Sequence, residues 1–167
     1  MKKIFIINGA ARSGKDTFVE TVREVSGVIL HNISSVGNVK EAATILGWDG
    51  KKDERGRQFL SDLKDISSKV YNGPLSFMLA NALCITQGLI FFHIREPDEI
   101  TELKKKCEEH SLDVSTILLK RPDITQFTNH ADQNVENFEY DYIINNDGSI
   151  KKLKKQVITW FKGLQLQ

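Results

Sequence analysis

The chain has 167 residues, with 23 Lys and Arg against 22 Asp and Glu, 40% apolar side chains and only 3 Pro. That length can bury a core within a single domain, and a formal charge of +1 excludes the broadly basic surface of a general nucleic-acid binder. No apolar run approaches the ~20 residues of a membrane span, and no repeat or Pro/Gly-rich linker divides the chain. Cys84 and Cys107 lie far apart without a second ligand at metal spacing, so they read as reduced, mostly buried thiols rather than a disulfide or zinc site.

Met1 to Ile7 is apolar after its lysines and turns polar at Asn8. It is too short for a signal peptide and reads as the first strand of a cytoplasmic protein. Phe18, Val19, Val22 and Val25 then share one helical face. A second strand is expected over Val28–Leu30. The stretch from Ser34 to Gln87 reads as three helices, broken at Gly47-Trp48-Asp49-Gly50 and at Asn72-Gly73-Pro74. Further strands are expected at Leu89–Ile94, Thr116–Leu119 and Tyr142–Ile144, and Leu153, Val157, Trp160 and Leu164 stripe a last helix. Short, nearly continuous apolar runs are the pattern of strands buried on both faces, so the alternation predicts a parallel sheet covered by helices. Ligands in such folds bind where loops leave the C-terminal ends of the strands.

The first of those loops is Gly9-Ala10-Ala11-Arg12-Ser13-Gly14-Lys15-Asp16-Thr17, between the first strand and the first helix. It is a near match to the Walker A pattern, whose glycines let backbone N–H groups curl around a phosphate while the lysine reaches the β and γ oxygens. The departure is Asp16, which stands where Ser or Thr usually holds magnesium; the hydroxyl comes one residue later, at Thr17. A carboxylate beside a triphosphate needs a cation between them, so Asp16 is expected in the magnesium shell, with Thr17 beside it on a phosphate oxygen. The bland alternative is a glycine turn in which Ser13 or Asp16 caps the helix and Lys15 is solvated.

On Gly14-Lys15-Asp16-Thr17 the chain resembles the deoxynucleoside monophosphate kinases of bacteriophage type, within the P-loop nucleoside-monophosphate kinase-like group. Phe92-His93-Ile94-Arg95-Glu96-Pro97-Asp98-Glu99 is similar to the third-strand segment of that family, and Glu139 to Gly148, with Asn145-Asn146-Asp147-Gly148, to its last strand and turn. The phosphomevalonate kinases of animal type share the Gly-Lys-Asp loop and a similar C-terminal block. The resemblance implies a three-layer α/β/α fold over residues 1–167, with a five-stranded parallel sheet of order 2-3-1-4-5. It also implies a helical substrate-binding region at about 34–87 and a lid at about 121–139, with Lys120 and Arg121 at the lid entrance. His93 departs from the pattern, because the resembling kinases usually carry an acidic residue there; it is either near the phosphates or a half-buried strand histidine with a backbone hydrogen bond.

Phosphoryl transfer asks for convergent cations rather than a covalent nucleophile. Lys15, Arg95 and Arg121 are the expected catalytic cations, with Arg12 available in the loop; Arg95 has the alternative of a salt bridge to Glu96 or Asp98. Gly9 to Thr17 are the expected nucleotide-binding residues, and Asn146 and Gly148 join them as the resemblance suggests, the alternative being a turn and helix cap. Arg55 and Arg57, just before a helix expected over Phe59–Val70, are candidates for the acceptor phosphate, and Trp48 for an acceptor base or for a local core plug. The lysines of 104–106 and 151–155 read as solvated faces.

The expected activity is ATP- and magnesium-dependent phosphoryl transfer to a small phosphorylated acceptor, a deoxynucleoside monophosphate in the first instance. The alternatives are a phosphomevalonate-type kinase and a nucleotide-binding module without transferase activity. ATP and a small phosphorylated substrate are the expected partners, with no nucleic-acid polymer and no membrane; oligomeric state is not legible.

Overall fold

Every residue from Ile4 to Ile7 is apolar, which is stable in water only if both faces of the strand are covered. In the computed structural model, which describes residues 2–122 and 135–165, they are. Strand β1 (Lys2–Asn8) is central in a parallel five-stranded sheet with β2 (Leu30–Ser34), β3 (Gly88–His93), β4 (Val114–Lys120) and β5 (Tyr142–Asn145), in the order β2-β3-β1-β4-β5. The expected order 2-3-1-4-5 is the observed one.

Alternation then sorts the side chains into two cores. Phe5 and Ile7 of β1, with Leu89 and Phe91 of β3, point to one face, where helices α1 (Lys15–Ser26) and α6 (Ile150–Gln165) cover them with Phe18, Val22, Val157 and Trp160. Ile4 and Ile6, with Ile90 and Phe92, point to the other face, under α4 (Gly73–Cys84) and α5 (Pro97–Glu109), whose Met78, Ile100 and Leu103 are fully buried. Helices α2 (Gly37–Ile45) and α3 (Glu54–Tyr71) complete the helical region between β2 and β3. Three helices occur in this region, with breaks at the two expected places. Trp160 is the hub of the first core, its ring 5.1 Å from Phe5, 5.4 Å from Phe18 and 6.0 Å from Tyr142.

Three expectations need correction. The second strand is not Val28–Leu30 but Leu30–Ser34, paired from Leu30↔Leu89 to Ser34↔His93. It is an edge strand whose residues are only half-buried or exposed, so it lacks the continuous apolar run used to find the others. The helix expected to start at Phe59 starts at Glu54, because the Asp53 carboxylate accepts from the Gly56 N–H and caps it; Arg55 and Arg57 therefore stand in its first turn. Cys107 is buried, as expected, but Cys84 is exposed at the last residue of α4. Burial pushes the Cys107 thiol up to about 11.

No described helix is long and apolar enough to cross a membrane. The lid expected at about 121–139 falls largely on residues 123–134, which lie outside the described residues.

Replacing Trp160 with Ala should cost about 3–5 kcal/mol in urea unfolding, whereas Trp160→Phe should cost less. The buried indole N–H has no hydrogen-bond partner among the described residues, so the phenyl variant loses area but removes an unsatisfied donor.

Candidate active site

Parallel pairing brings the C-terminal ends of β1, β2 and β3 together, with Ile7 beside His93 and Ser34 beside His93 on its other side. The phosphate-loop candidate leaves β1 at this edge. Gly9 and Gly14 both take left-handed or related backbone angles, φ 148° and 95°. A Cβ on Gly9 would lie 2.5 Å from the Leu119 carbonyl oxygen, and one on Gly14 would lie 2.5 Å from the Asn146 amide nitrogen. Glycine is required at both. Arg12 also has a positive φ, 64°, which is uncommon for a side chain of its size and marks a tightly constrained loop.

Helix α1 begins at Lys15 with Gly14 as its N-cap residue and no side-chain cap, which removes the reading in which Ser13 or Asp16 merely caps the helix. Its first-turn N–H groups and partial positive charge are directed at the loop's concavity. The Lys15 ammonium lies across that concavity, donating to the carbonyl oxygens of Gly9 at 2.6 Å and Ala10 at 2.9 Å. Asp16 and Thr17 are exposed beside it. Their carboxylate and hydroxyl are hard oxygen ligands of the kind magnesium takes. No group of three or more His, Cys, Asp or Glu that could hold an ion occurs among the described residues.

Two side-chain amides, one buried and one half-buried, hold the loop from outside. Asn8 is fully buried; its Oδ1 accepts from the Gly9 N–H at 2.7 Å, and its Nδ2 donates to the Arg95 carbonyl at 3.0 Å and the Tyr140 hydroxyl at 2.7 Å. Tyr140 in turn donates to the Val135 carbonyl at 2.7 Å, and burial pushes its phenol up to about 12. Asn146, after β5, donates from Nδ2 to the Ser13 carbonyl at 2.8 Å. Neither Asn8 nor Tyr140 is a candidate from sequence; the only signal for Asn8 is a polar residue closing an apolar strand.

The loop opens on a cleft of about 890 Å³. Lys15, Asp16, Thr17, Arg95 and Arg121 line it together, as the sequence expects, and so does Arg57. Arg55 does not line it; the Asp49 carboxylate is held below the usual range first by hydrogen bonds from Lys51 and only weakly by the Arg55 charge. Trp48 is outside as well, its indole N–H donating to the Lys51 carbonyl at 2.9 Å and its ring nitrogen lying against Gly56. Gly148 is exposed in the turn before α6, and Asp147 pairs with Lys152 at 2.8 Å. Lys120 pairs with Glu136 at 2.9 Å. His130 lies outside the described residues.

Lys40 and Lys52, which the sequence reading passed over, also line the cleft. Burial first, then the Lys52 charge and more weakly Arg95, lower the Lys40 ammonium below its ordinary value, against a pull upward from Asp16. His93 is half-buried in the same cleft, and its hydrogen-bond partner is a side chain rather than the backbone: Nε2 lies 2.6 Å from the Asn32 Oδ1. Since that oxygen can only accept, Nε2 carries the proton and Nδ1 of the neutral ring keeps its lone pair. Burial pushes the imidazole down to about 4, with Lys15 and Arg95 adding to the effect and Asp16 opposing it. His93 is therefore uncharged at neutral pH.

No protein-family model matches the sequence, and no curated protein matches it significantly. Solved structures do match in shape along nearly their whole length. Shikimate kinase from Aquifex aeolicus aligns with a TM-score of 0.58 at 10% identity, over 99% of each chain. The APS kinase CysC of Mycobacterium tuberculosis, in complex with AMPPNP and APS, aligns at 0.52 and 13% identity, over 96% of this chain and 98% of that one. A gluconokinase from Sinorhizobium meliloti aligns at 0.53 and 9% identity, over 97% and 93%. The chain has the three-layer α/β/α fold of P-loop kinases. At these identities the likeness is one of fold.

Because the folded state resists protonating His93, stability should be full above the ordinary imidazole pKa near 6.5 and fall as pH drops from there toward 4. The loss should be on the order of 2 kcal/mol after allowance for partial solvent screening. Comparing urea midpoints of the parent chain and His93→Asn from pH 7 to pH 4.5 checks it: the variant should show the shallower decline. Asn8→Ala should cost about 2–3 kcal/mol, since it strands the Gly9 N–H and the Arg95 carbonyl in a buried site.

Proposed function

We propose that the chain is a kinase that moves the γ-phosphoryl group of magnesium-bound ATP onto the phosphate of a small acceptor. The observation that carries this reading is the Lys15 ammonium at the mouth of an uncapped helix N-terminus, opening on a cleft lined by further cations. The kinase fold of the solved neighbours supports it, and one of those neighbours was solved with AMPPNP.

In this reading the Gly9–Thr17 loop receives the β-phosphate on its backbone N–H groups, and Lys15 exchanges its carbonyl partners for β and γ oxygens. Asp16 and Thr17 are the residues that would hold magnesium, which neutralises charge on the β and γ oxygens when bound. Arg95 and Arg121 are the cations placed to meet negative charge that spreads over the transferring group, with Arg12 as a further one. An acceptor phosphate oxygen forms the new P–O bond as the bridging bond to ADP breaks. An acceptor phosphate is already a nucleophile at neutral pH, so this transfer needs no strong general base, which suits an uncharged His93 beside the site. Asn146 acts on the nucleotide through the loop it holds, and Gly148 belongs to the same turn.

The sequence resemblance nominates two acceptor classes, deoxynucleoside monophosphates and phosphorylated isoprenoid acids. The test is product formation from ATP and magnesium with the four deoxynucleoside monophosphates, their ribose counterparts and phosphomevalonate, read by phosphorus NMR of the acceptor. A phosphorylated acceptor is the expected result; ATP binding with no product from any acceptor would favour a binding module instead. Lys15→Met should lower turnover by at least about a thousandfold while leaving the unfolding midpoint within ~1 kcal/mol of the parent. Unchanged ATP affinity and turnover in that variant would remove the centre of the proposal.

A further inference from the structure

The cleft is more cationic than one phosphate acceptor requires. Eight Lys or Arg side chains line it against three carboxylates among the described residues. Lys15, Arg12 and Arg121 stand on the loop side, and Arg95 closes β3 at the inner end. The opposite wall comes from α2, α3 and the turn between them, and carries Lys40, Lys52, Arg57 and Lys64. Among the described residues, Lys64 is the one cation of that wall held in an ion pair, with Glu99 at 2.8 Å.

Of the acidic groups near Lys52 and Arg57 in sequence, three are engaged elsewhere, while Glu54 lines the outer groove with both cations without a hydrogen bond or ion pair to either among the described residues. Asp49 pairs with Lys51 at 3.1 Å, Asp53 caps α3 through the Gly56 N–H at 2.8 Å, and Asp62 accepts from Gln58 at 2.7 Å. No hydrogen bond or ion pair engages the Lys52 ammonium or the Arg57 guanidinium among the described residues. Both side chains also line a second, more open groove with Asp53, Glu54, Gln58 and Ser61, so they stand at the outer mouth of the cleft and reach an anion bound in the cleft from there. Lys40 lines the same cleft as Lys52 and Arg95. Like charges held this close repel one another, and a fold keeps them only at a cost in stability unless an anion joins them.

The described lining is polar and charged for the most part. Val36, Leu60 and Ile94 are its apolar members, and the imidazole of His93 is its only aromatic ring among the described residues. Trp48, which could have stacked on a base, is turned to the Lys51 carbonyl instead. A nucleobase buried in a site normally finds a flat or apolar face.

We propose that the acceptor is a small molecule with two separated anionic groups: a phosphate that meets Arg95 and Lys40, and a carboxylate or second phosphate that meets Lys52 and Arg57 at the mouth. This rests on the kinase reading and selects within it. Arg57, at the first turn of α3, offers a planar pair of donors aided by the helix's partial positive charge, and Lys52 offers a point charge beside it.

The test is calorimetric binding to the full chain saturated with AMPPNP and magnesium, using probes matched in skeleton: 3-phosphoglycerate against glycerol 3-phosphate, 6-phosphogluconate against glucose 6-phosphate, and dTMP as the nucleotide. The phosphorylated acids should bind at least about tenfold more tightly than their one-anion partners and than dTMP. In a variant carrying Lys52→Gln and Arg57→Gln that advantage should shrink to below about twofold, with binding of AMPPNP and of the one-anion probes unchanged. Lys155→Gln, an exposed lysine on α6, should leave it intact. Equal or absent binding of the acids while AMPPNP binds, or tighter binding of dTMP, overturns the two-anion acceptor and leaves the kinase reading standing. Failure to bind AMPPNP overturns both.

Discussion

A buried amide must satisfy its polar atoms or the site around it does not form, and Asn8 meets that requirement by joining three parts of the molecule. At full burial it ties the start of the phosphate-loop candidate, the backbone at the end of β3 and the segment leading into β5. The first two of those segments carry cations of the cleft, Arg12 and Lys15 on the loop and Arg95 after β3. Their relative placement is therefore supported by hydrogen bonds made behind them, in the core. Asn146 repeats the arrangement on the other side, with a β5-edge amide gripping the Ser13 carbonyl and filling the space a Gly14 side chain would need.

The rigid half of the site and its electrostatic half come from different physics. The loop is fixed by glycines, the amides of Asn8 and Asn146 and two well-packed cores. The α2–α3 wall, by contrast, brings cations to the cleft with little neutralisation of its own, and holds Lys40 where desolvation and its neighbours both disfavour the charge. Such a wall is stable because the sheet and α4 beneath it are well packed: Leu75, Met78 and Ala82 of α4 are nearly or fully buried. The cores supply stability, and the unmatched charge is left for a ligand. His93 fits the same division. Burial keeps it neutral amid Lys15, Arg95 and Asp16, so it adds a hydrogen-bonding ring without adding to the charge.

The alternation of apolar runs with amphipathic helices made the layered parallel sheet legible, because strands covered on both faces leave a continuous apolar signature. The same rule explains the error at β2, an edge strand whose polar members His31, Asn32 and Ser34 carry no such signature. The loop was legible because phosphate binding needs glycines and a lysine at close spacing in the chain. Arg95 and Arg57 were legible as arginines at an element end. Arg55 differs from Arg57 by two residues in the same helical turn, and only the direction each takes from α3 separates a cleft cation from one beside Asp49. Lys40, Lys52, Asn32 and Tyr140 bore no local mark, since each acquires its surroundings from elements distant in the chain.

What the sequence by itself determined is what short-range spacing can encode: the order of strands and helices, the two glycines and lysine of the loop, and the apolar faces that force two cores. What only the tertiary structure decided is which charges share one space. That depends on the parallel pairing of β1, β2 and β3, which sets the ends of three strands side by side, and on the fold of α2 and α3 over that edge. Coulomb interactions and hydrogen bonds act over a few ångströms of space regardless of separation along the chain, so the cation-rich wall and the amides behind the loop become visible only once the backbone has closed.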